Sequence, residues 1–292
     1  MPIVNISVII DNTIKPLYNN TLLKRYVKLN SIIKAKEILF LGPEGSYSHI
    51  AKDKTVDLLG LHDIKPVVMR SFPDIIAAVD NNKEAIAIIP IENSIEGVVR
   101  ETVDRIIRTT NYVRVFQEII IPVSNCLMIK SGNLQKVKHI ISHPQPLAQC
   151  NNYIRNLSQK LGRHLECVSS PSTSEGARSL ASLDDSYAVI ANERAASIYN
   201  LKIIEKNIND EPDNKTRFVC IGHEYPSRTG KDKTSIAFAT QNKPGELVEV
   251  LMIFKEHNLN MSYIDSRPSR KNLGEYTFYI DIDGHVEDPE LN

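Results

Sequence analysis

From Glu37 onward the chain alternates between short, wholly apolar runs and longer stretches whose apolar residues recur at helical spacing. The runs EILFL (37–41), PVVMR (66–70) and AIAIIPI (85–91) predict strands, with helices over 49–59, 74–83 and 98–109. Val98, Val99, Val103, Ile106 and Ile107 share one face of the third helix; Ser71, Pro73 and Asp74 suit the start of the second. The span 113–130 reads as β-rich and broken at Pro122. Beyond it, strands at 139–142, 165–169, 187–191, 201–205 and 217–222 alternate with helices over 144–161, 173–182 and 193–199. Apolar strands interleaved with amphipathic helices predict parallel sheet covered on both faces. The long β passage predicts a crossing between two α/β lobes around a cleft, with a return near Ser186.

Residues 223–232, HEYPSRTGKD, are polar with Pro and Gly and read as a linker. Then come a strand at 234–240, a helix over 244–258 carrying Leu247, Val248, Val250, Leu251 and Phe254, and strands at 261–267 and 275–282. This β-α-β-β order opens a ferredoxin-like α+β unit. Asp288-Pro289-Glu290 has the look of a helix cap and first turn, so the unit reads as cut short, with an open sheet edge. The expected division is 1–36, an N-terminal helical remnant or linker; 37–222, the two lobes; 223–232, the linker; and 233–292, the incomplete second domain.

Composition narrows the function classes. A chain of 292 residues, 42% hydrophobic, buries a sizeable core without disulfides or metal. Lys+Arg and Asp+Glu number 35 each, which argues against nucleic-acid or membrane-surface binding. No apolar run is long enough to span a bilayer and the Met-Pro start lacks a basic leader, so a cytoplasmic protein is expected. The cysteines at 126, 150, 167 and 220 have no CxxC spacing, which gives no sign of zinc or a redox dithiol. Cys126 and Cys220 lie in apolar runs and are expected as small buried hydrophobes.

The polar clusters GPEGSYS (42–48), ENSIEG (92–97), SHPQ (142–145) and SPSTSEG (170–176) each follow a predicted strand and lead toward a helix. Ligands of open α/β sheets bind at such strand ends. Free backbone N–H groups and the helix dipole favour a small anion there, such as a carboxylate. Ser and Asn are also ordinary helix caps, so it is the clusters together that point to a ligand. His49 and His143 titrate near neutrality. Their positions, in a first helical turn and just before Pro144, favour structural roles.

The motifs FLGPEGSYSHIA, IPIENSIEGVV, ISHPQPLAQC, STSEGA, NERAASIYNL and NKTRFVCIG, in this order over about residues 37–222, resemble prephenate dehydratase. KPGELVEVL and YIDSRP resemble the phenylalanine-binding ACT regulatory domain of the same enzymes. TLLKRYVKLN resembles the end of the last helix of a chorismate mutase, which precedes the dehydratase in bifunctional proteins. The resemblance implies a two-lobe fold like that of periplasmic binding proteins. It also implies a lyase converting prephenate to phenylpyruvate, water and carbon dioxide, without metal or organic cofactor.

The resemblance marks Thr216, Arg217 and Phe218 as the catalytic motif, with the Thr216 hydroxyl hydrogen-bonded to the leaving oxygen. Arg217 would hold a carboxylate in a bidentate fork. Successive side chains of a strand face opposite ways, however. Either the strand bends at Thr216, or Arg217 serves from behind by pairing with a scaffold carboxylate. Asn93 and Ser94 would hydrogen-bond substrate, as would Ser46, Ser142, Gln145, Ser172 and Thr173. The effector motifs supply Gly245, Leu247 and Val248, and Asp265, Ser266, Arg267 and Pro268. Glu246 stands where the family has a small residue, and Asp265 where it has Glu. The Glu246 carboxylate would repel that of phenylalanine unless a cation lies close, for which Arg267 is the candidate. The implied partners are prephenate, L-phenylalanine as effector, and further copies of the chain in a homodimer or higher oligomer. Two other readings remain: arogenate dehydratase, and a non-catalytic small-molecule sensor on the same fold. A mutase site needs several helices, and the segment before Glu37 supplies at most one, interrupted by Pro16, so no mutase activity is expected of this chain.

Overall fold

The computed structural model describes residues 10–11, 34–109, 113–224, 228–240, 242–269 and 275–291. Most of the expected N-terminal helical remnant lies outside these residues; Ile10–Asp11 forms a short strand, β1. The first lobe runs through β2 (Glu37–Leu41), α1 (Tyr47–Leu59), β3 (Lys65–Met69), α2 (Phe72–Asn81), β4 (Ala85–Asn93), β5 (Gly97–Val98), α3 (Arg100–Thr109) and β6 (Arg114–Pro122). The chain then crosses into a second lobe: β7 (Cys126–Ile129), β8 (His139–Ser142), α4 (Pro144–Gln149), α5 (Asn151–Leu161), β9 (Glu166–Ser169), α6 (Thr173–Leu180), β10 (Tyr187–Ala191), α7 (Glu193–Tyr199) and β11 (Lys202–Glu205). It returns to the first lobe in β12 (Lys215–Gly222). A C-terminal unit follows: β13 (Lys233–Ala239), α8 (Glu246–Glu256), β14 (Met261–Pro268) and β15 (Tyr276–Asp283).

Two α/β lobes are present, each built on a mixed sheet. The first has strand order β3-β2-β4-β12-β6, the second β11-β7-β10-β8-β9. β2 runs parallel to β3 and β4, but β12 is antiparallel to both β4 and β6, and β7 to both β10 and β11. The expected parallel sheet fails at the strands that enter a lobe from the other one. They arrive through a direct connector, with no crossover helix to force a parallel approach. The return lies at 206–214 and not near Ser186, because β10 is a buried central strand of the second sheet. The helix expected over 144–161 breaks at Cys150. There Asp210 of the return connector accepts the Asn152 N–H at 2.9 Å and so caps α5 afresh.

Each sheet is covered on both faces. Ile75, Ile76, Val103 and Ile106 pack on one side of the first, and Phe40, Ala51, Ile88 and Phe116 on the other. The C-terminal sheet has order β1-β13-β15-β14. Val250 and Phe254 of α8 cover one face, against Ile280 and Ile282. The other face brings Ala237 and Tyr279 into the core of the first lobe. The β13 edge expected to lie open is paired with Ile10–Asp11, in parallel, at Ala237 and Phe238. Residues 286–291 form turns where the sequence predicted a helix start. Among the described residues no helix is long and apolar enough to cross a membrane.

Candidate active site

Thr216 sits where β12 re-enters the first lobe, paired with Asn93 at the carboxyl end of β4. The Asn93 Oδ1 accepts the backbone N–H groups of Ile95 (3.0 Å) and Glu96 (3.1 Å). Backbone amides only donate, so these two bonds fix which end of the side-chain amide is oxygen. The Asn93 Nδ2 therefore faces Asn214 Oδ1 (2.8 Å), Thr216 Oγ1 (3.0 Å) and the Lys215 carbonyl (3.2 Å). The Thr216 oxygen receives an N–H, and among the described residues its own proton has no acceptor. It is a donor held in place and waiting for a partner.

Around this pair the two lobes meet. Ser94 Oγ accepts the Lys215 N–H at 2.9 Å, and Asn214 Nδ2 donates to Gln149 Oε1 of α4 at 3.2 Å. The connectors themselves are bonded, Val123 N–H to the Asn214 carbonyl at 2.8 Å. Asn214, 2% exposed, and Gln149 were not singled out in the sequence, although both lie inside quoted motifs. Their one signal is position: Asn214 stands two residues before Thr216, and Gln149 ends the SHPQPLAQ stretch. ENSIEG also departs from expectation. Asn93 closes a turn that leads into β5, and α3 begins only at Arg100.

Arg217 takes the second of its two alternatives. β12 stays extended, and its guanidinium lies behind the strand, with Nε 3.0 Å from Glu92 and Nη1 2.7 Å from Asp281 and 3.3 Å from Glu118. Burial alone would depress its pKa, but Asp281 and then Glu118 more than offset that, so the group stays cationic. The expected carboxylate fork toward the cleft is therefore not what the geometry offers. Phe218 is 2% exposed and packs with Phe40, Ile88 and Phe116, so its place is in the core and not at a reacting atom.

The remaining serines divide by burial and bonding. Ser142 is fully buried and donates to the Ile190 carbonyl at 2.7 Å, stitching β8 to β10, which puts it out of reach of a ligand. Ser46 and Ser172 cap α1 and α6 by accepting the N–H groups of His49 (3.3 Å) and Glu175 (3.0 Å). Thr173 opens α6, half-buried; Gln145, likewise half-buried, is capped at its N–H by His143 Nδ1 at 3.3 Å. These helix starts stand at the ends of β2, β8 and β9, and the capping side chains there are Ser46, His143 and Ser172. The loop before α1 is also tied to the second lobe, with Asn192 Nδ2 donating to the Gly45 carbonyl at 2.7 Å. His49 stacks on Phe40, and its Nδ1 accepts the Gly45 N–H at 3.0 Å. Burial, outweighing Asp53, lowers its pKa below the usual 6.5. Cys126, Cys150 and Cys220 are buried free thiols, and burial pushes Cys150 up to about 12.

On the C-terminal unit, Gly245, Leu247 and Val248 line a recess of about 210 Å³ with Lys243, Glu246 and Phe278. Gly245 needs its lack of a side chain, since its φ is 92°. The second motif does not join this recess. On β14, Asp265 and Arg267 face the first lobe, where Arg267 Nε lies 2.7 Å from Asp104 Oδ1. Ser266 and Pro268 alternate to the exposed side. Arg267 is thus engaged elsewhere; among the residues that line the recess with Glu246, Lys243 carries a positive charge.

Comparison with known proteins gives the family. The prephenate dehydratase family model matches residues 38–226, and the ACT domain model residues 234–292. A prephenate dehydratase of Methanocaldococcus jannaschii is 38% identical over 256 residues, 86% of this chain and 90% of the relative. A bifunctional chorismate mutase/prephenate dehydratase of Aquifex aeolicus is 32% identical over 262 residues, 89% of this chain and 69% of the relative. Among solved structures, prephenate dehydratase from Arthrobacter aurescens in complex with L-Phe superposes with a TM-score of 0.77 at 32% identity, covering 87% of this chain and 83% of that one. By sequence and by fold, this chain belongs to the prephenate dehydratase family and carries an ACT domain behind its dehydratase lobes.

Proposed function

We propose that the chain converts prephenate to phenylpyruvate, water and carbon dioxide. The ring C–C bond to the carboxylate breaks, its electron pair enters the ring, and the C–O bond to the hydroxyl breaks as the ring becomes aromatic. The reaction is downhill, and the barrier lies in expelling hydroxide. A positioned proton donor eases such a step by roughly 10²–10⁴-fold. Thr216 is no free acid near neutrality, so its part is a hydrogen bond to the departing oxygen, with the proton relayed through it from water. The single observation behind this reading is the Asn93–Thr216 bond at 3.0 Å, which leaves the hydroxyl proton to be donated. The rearward Arg217 suits the chemistry as well. A guanidinium clamping the leaving carboxylate would stabilise the charge that the transition state must disperse.

Regulation by L-phenylalanine is supported by the ACT domain and its recess, where the Glu246 carboxylate shares the lining with Lys243. Exposed apolar side chains on the same unit, Val248 at 60% and Ile264 at 47%, favour pairing with a second copy. The test incubates purified protein with prephenate and follows phenylpyruvate absorbance, with arogenate in a parallel arm. Turnover of prephenate supports the reading. Higher kcat/KM on arogenate would reassign the substrate, and turnover of neither would leave the sensor reading.

A further inference from the structure

Behind Thr216 lies a buried ion cluster that joins the two domains. Arg217 is contacted by Glu92 and Glu118 of the first lobe and by Asp281 of the C-terminal unit, the closest at 2.7 Å. Asp281 is fully buried, and its other oxygen accepts the Ser235 hydroxyl. Tyr263, also C-terminal, lies under the guanidinium at 5.6 Å. Lys233 reaches Glu118 at 3.7 Å. Glu92 precedes Asn93, and the cross-strand pairs Thr216↔Asn93 and Arg217↔Glu92 sit directly beside a bulge, after which Phe218 pairs with Pro90. β12 is held by an unbroken ladder to β6 from Lys215 to Cys220, but on its β4 side the bulge interrupts the ladder between Arg217 and Phe218, and there the ion cluster adds a side-chain tie between β12 and β4 beside the catalytic hydroxyl.

We propose that Asp281 is a positioning residue for dehydration: from the ACT domain it centres Arg217, and through Arg217 and Glu92 it holds the Asn93–Thr216 pair. This rests on the dehydratase reading above. Without the Asp281 charge, Arg217 still has Glu92 and Glu118 to pair with, so the fold survives while the guanidinium shifts toward the first lobe. β15 carries both Asp281 and the Phe278 wall of the effector recess, so a ligand there touches the strand that holds the cluster.

The test is Asp281→Asn in the full chain, assayed with prephenate. A small displacement of a catalytic group is costly, so kcat should fall about tenfold with KM within about twofold of wild type. In a Thr216→Val background, assayed with more enzyme, the same substitution should change kcat by less than about twofold, since it acts through that hydroxyl. A residue acting on the fold alone would take the same factor from both backgrounds, and that result would overturn the proposal. So would a folded Asp281→Asn protein with wild-type kcat. If Asp281→Asn does not fold, Ser235→Ala removes only the bond to its far oxygen and should lower kcat about two- to threefold; an unchanged kcat would sink the idea. A wild type inactive on prephenate would overturn both this proposal and the dehydratase reading; an active one separates them.

Discussion

Thr216 is useful because of its neighbour. Two backbone N–H groups lock the Asn93 amide, the amide N–H is spent on the threonine oxygen, and the threonine proton is left over. The motif led to Thr216 and Asn93 from the sequence, and strand alternation left two places open for Arg217, of which the structure takes the rearward one. The carboxylate it would meet was not legible, because Asp281 lies 64 positions away along the chain. Ser142 reads alike as ligand or as stitch until its burial is known. His49 gives a pH test at this scale. Its folded pKa is lowered, so below the usual value near 6.5 the unfolded chain takes a proton that the folded one refuses. Its contribution to stability is therefore complete above that value and is lost as the pH falls toward the folded pKa. Urea midpoints at pH 7.5 and 5.5 should show a drop, and His49→Gln should show a smaller one. Equal drops would remove His49 as a source.

At the scale of elements, the strands and helices were largely legible because apolar runs and helical periods are strong local signals. What misled was connectivity. Local pattern does not tell whether a strand arrives through a helix or through a bare connector, so the antiparallel β7 and β12 and the later return were missed. Ser142 tests the stitch between β8 and β10. Ser142→Ala should cost about 0.5–1.5 kcal/mol of stability by denaturant unfolding and leave KM within about twofold. A large rise in KM without loss of stability would return Ser142 to the substrate. Gly176 tests how closely α6 approaches the same sheet, since a Cβ there would meet Ser170 Oγ at 3.0 Å and Ile141 Cγ2 at 3.1 Å. Gly176→Val should cost about 1–3 kcal/mol by overpacking, and an unchanged unfolding midpoint would contradict that packing.

For the whole molecule, the site stands where the two connectors between the lobes run side by side. Both connectors run beside Thr216 and are bonded to one another, at Val123–Asn214 and at Ile208–Asn125 (3.0 Å). Asn214 joins the two sides, accepting from Asn93 in the first lobe and donating to Gln149 in the second. The C-terminal domain is packed into the first lobe by Ala237, Tyr279 and two arginines, one of which, Arg217, stands on the same strand as Thr216. Phenylalanine should bind this protein in calorimetric titration, and Glu246→Ala should tighten binding by removing the like charge. Unchanged affinity would show that the Glu246 charge does not act on the ligand. The central claim is that Thr216 donates to the departing oxygen, and kcat on prephenate for wild type and Thr216→Val tests it most directly. Loss of one preorganised donor predicts a fall in kcat of about 10²–10³ with KM little changed and the fold intact. A folded valine variant turning over prephenate at the wild-type rate would contradict it.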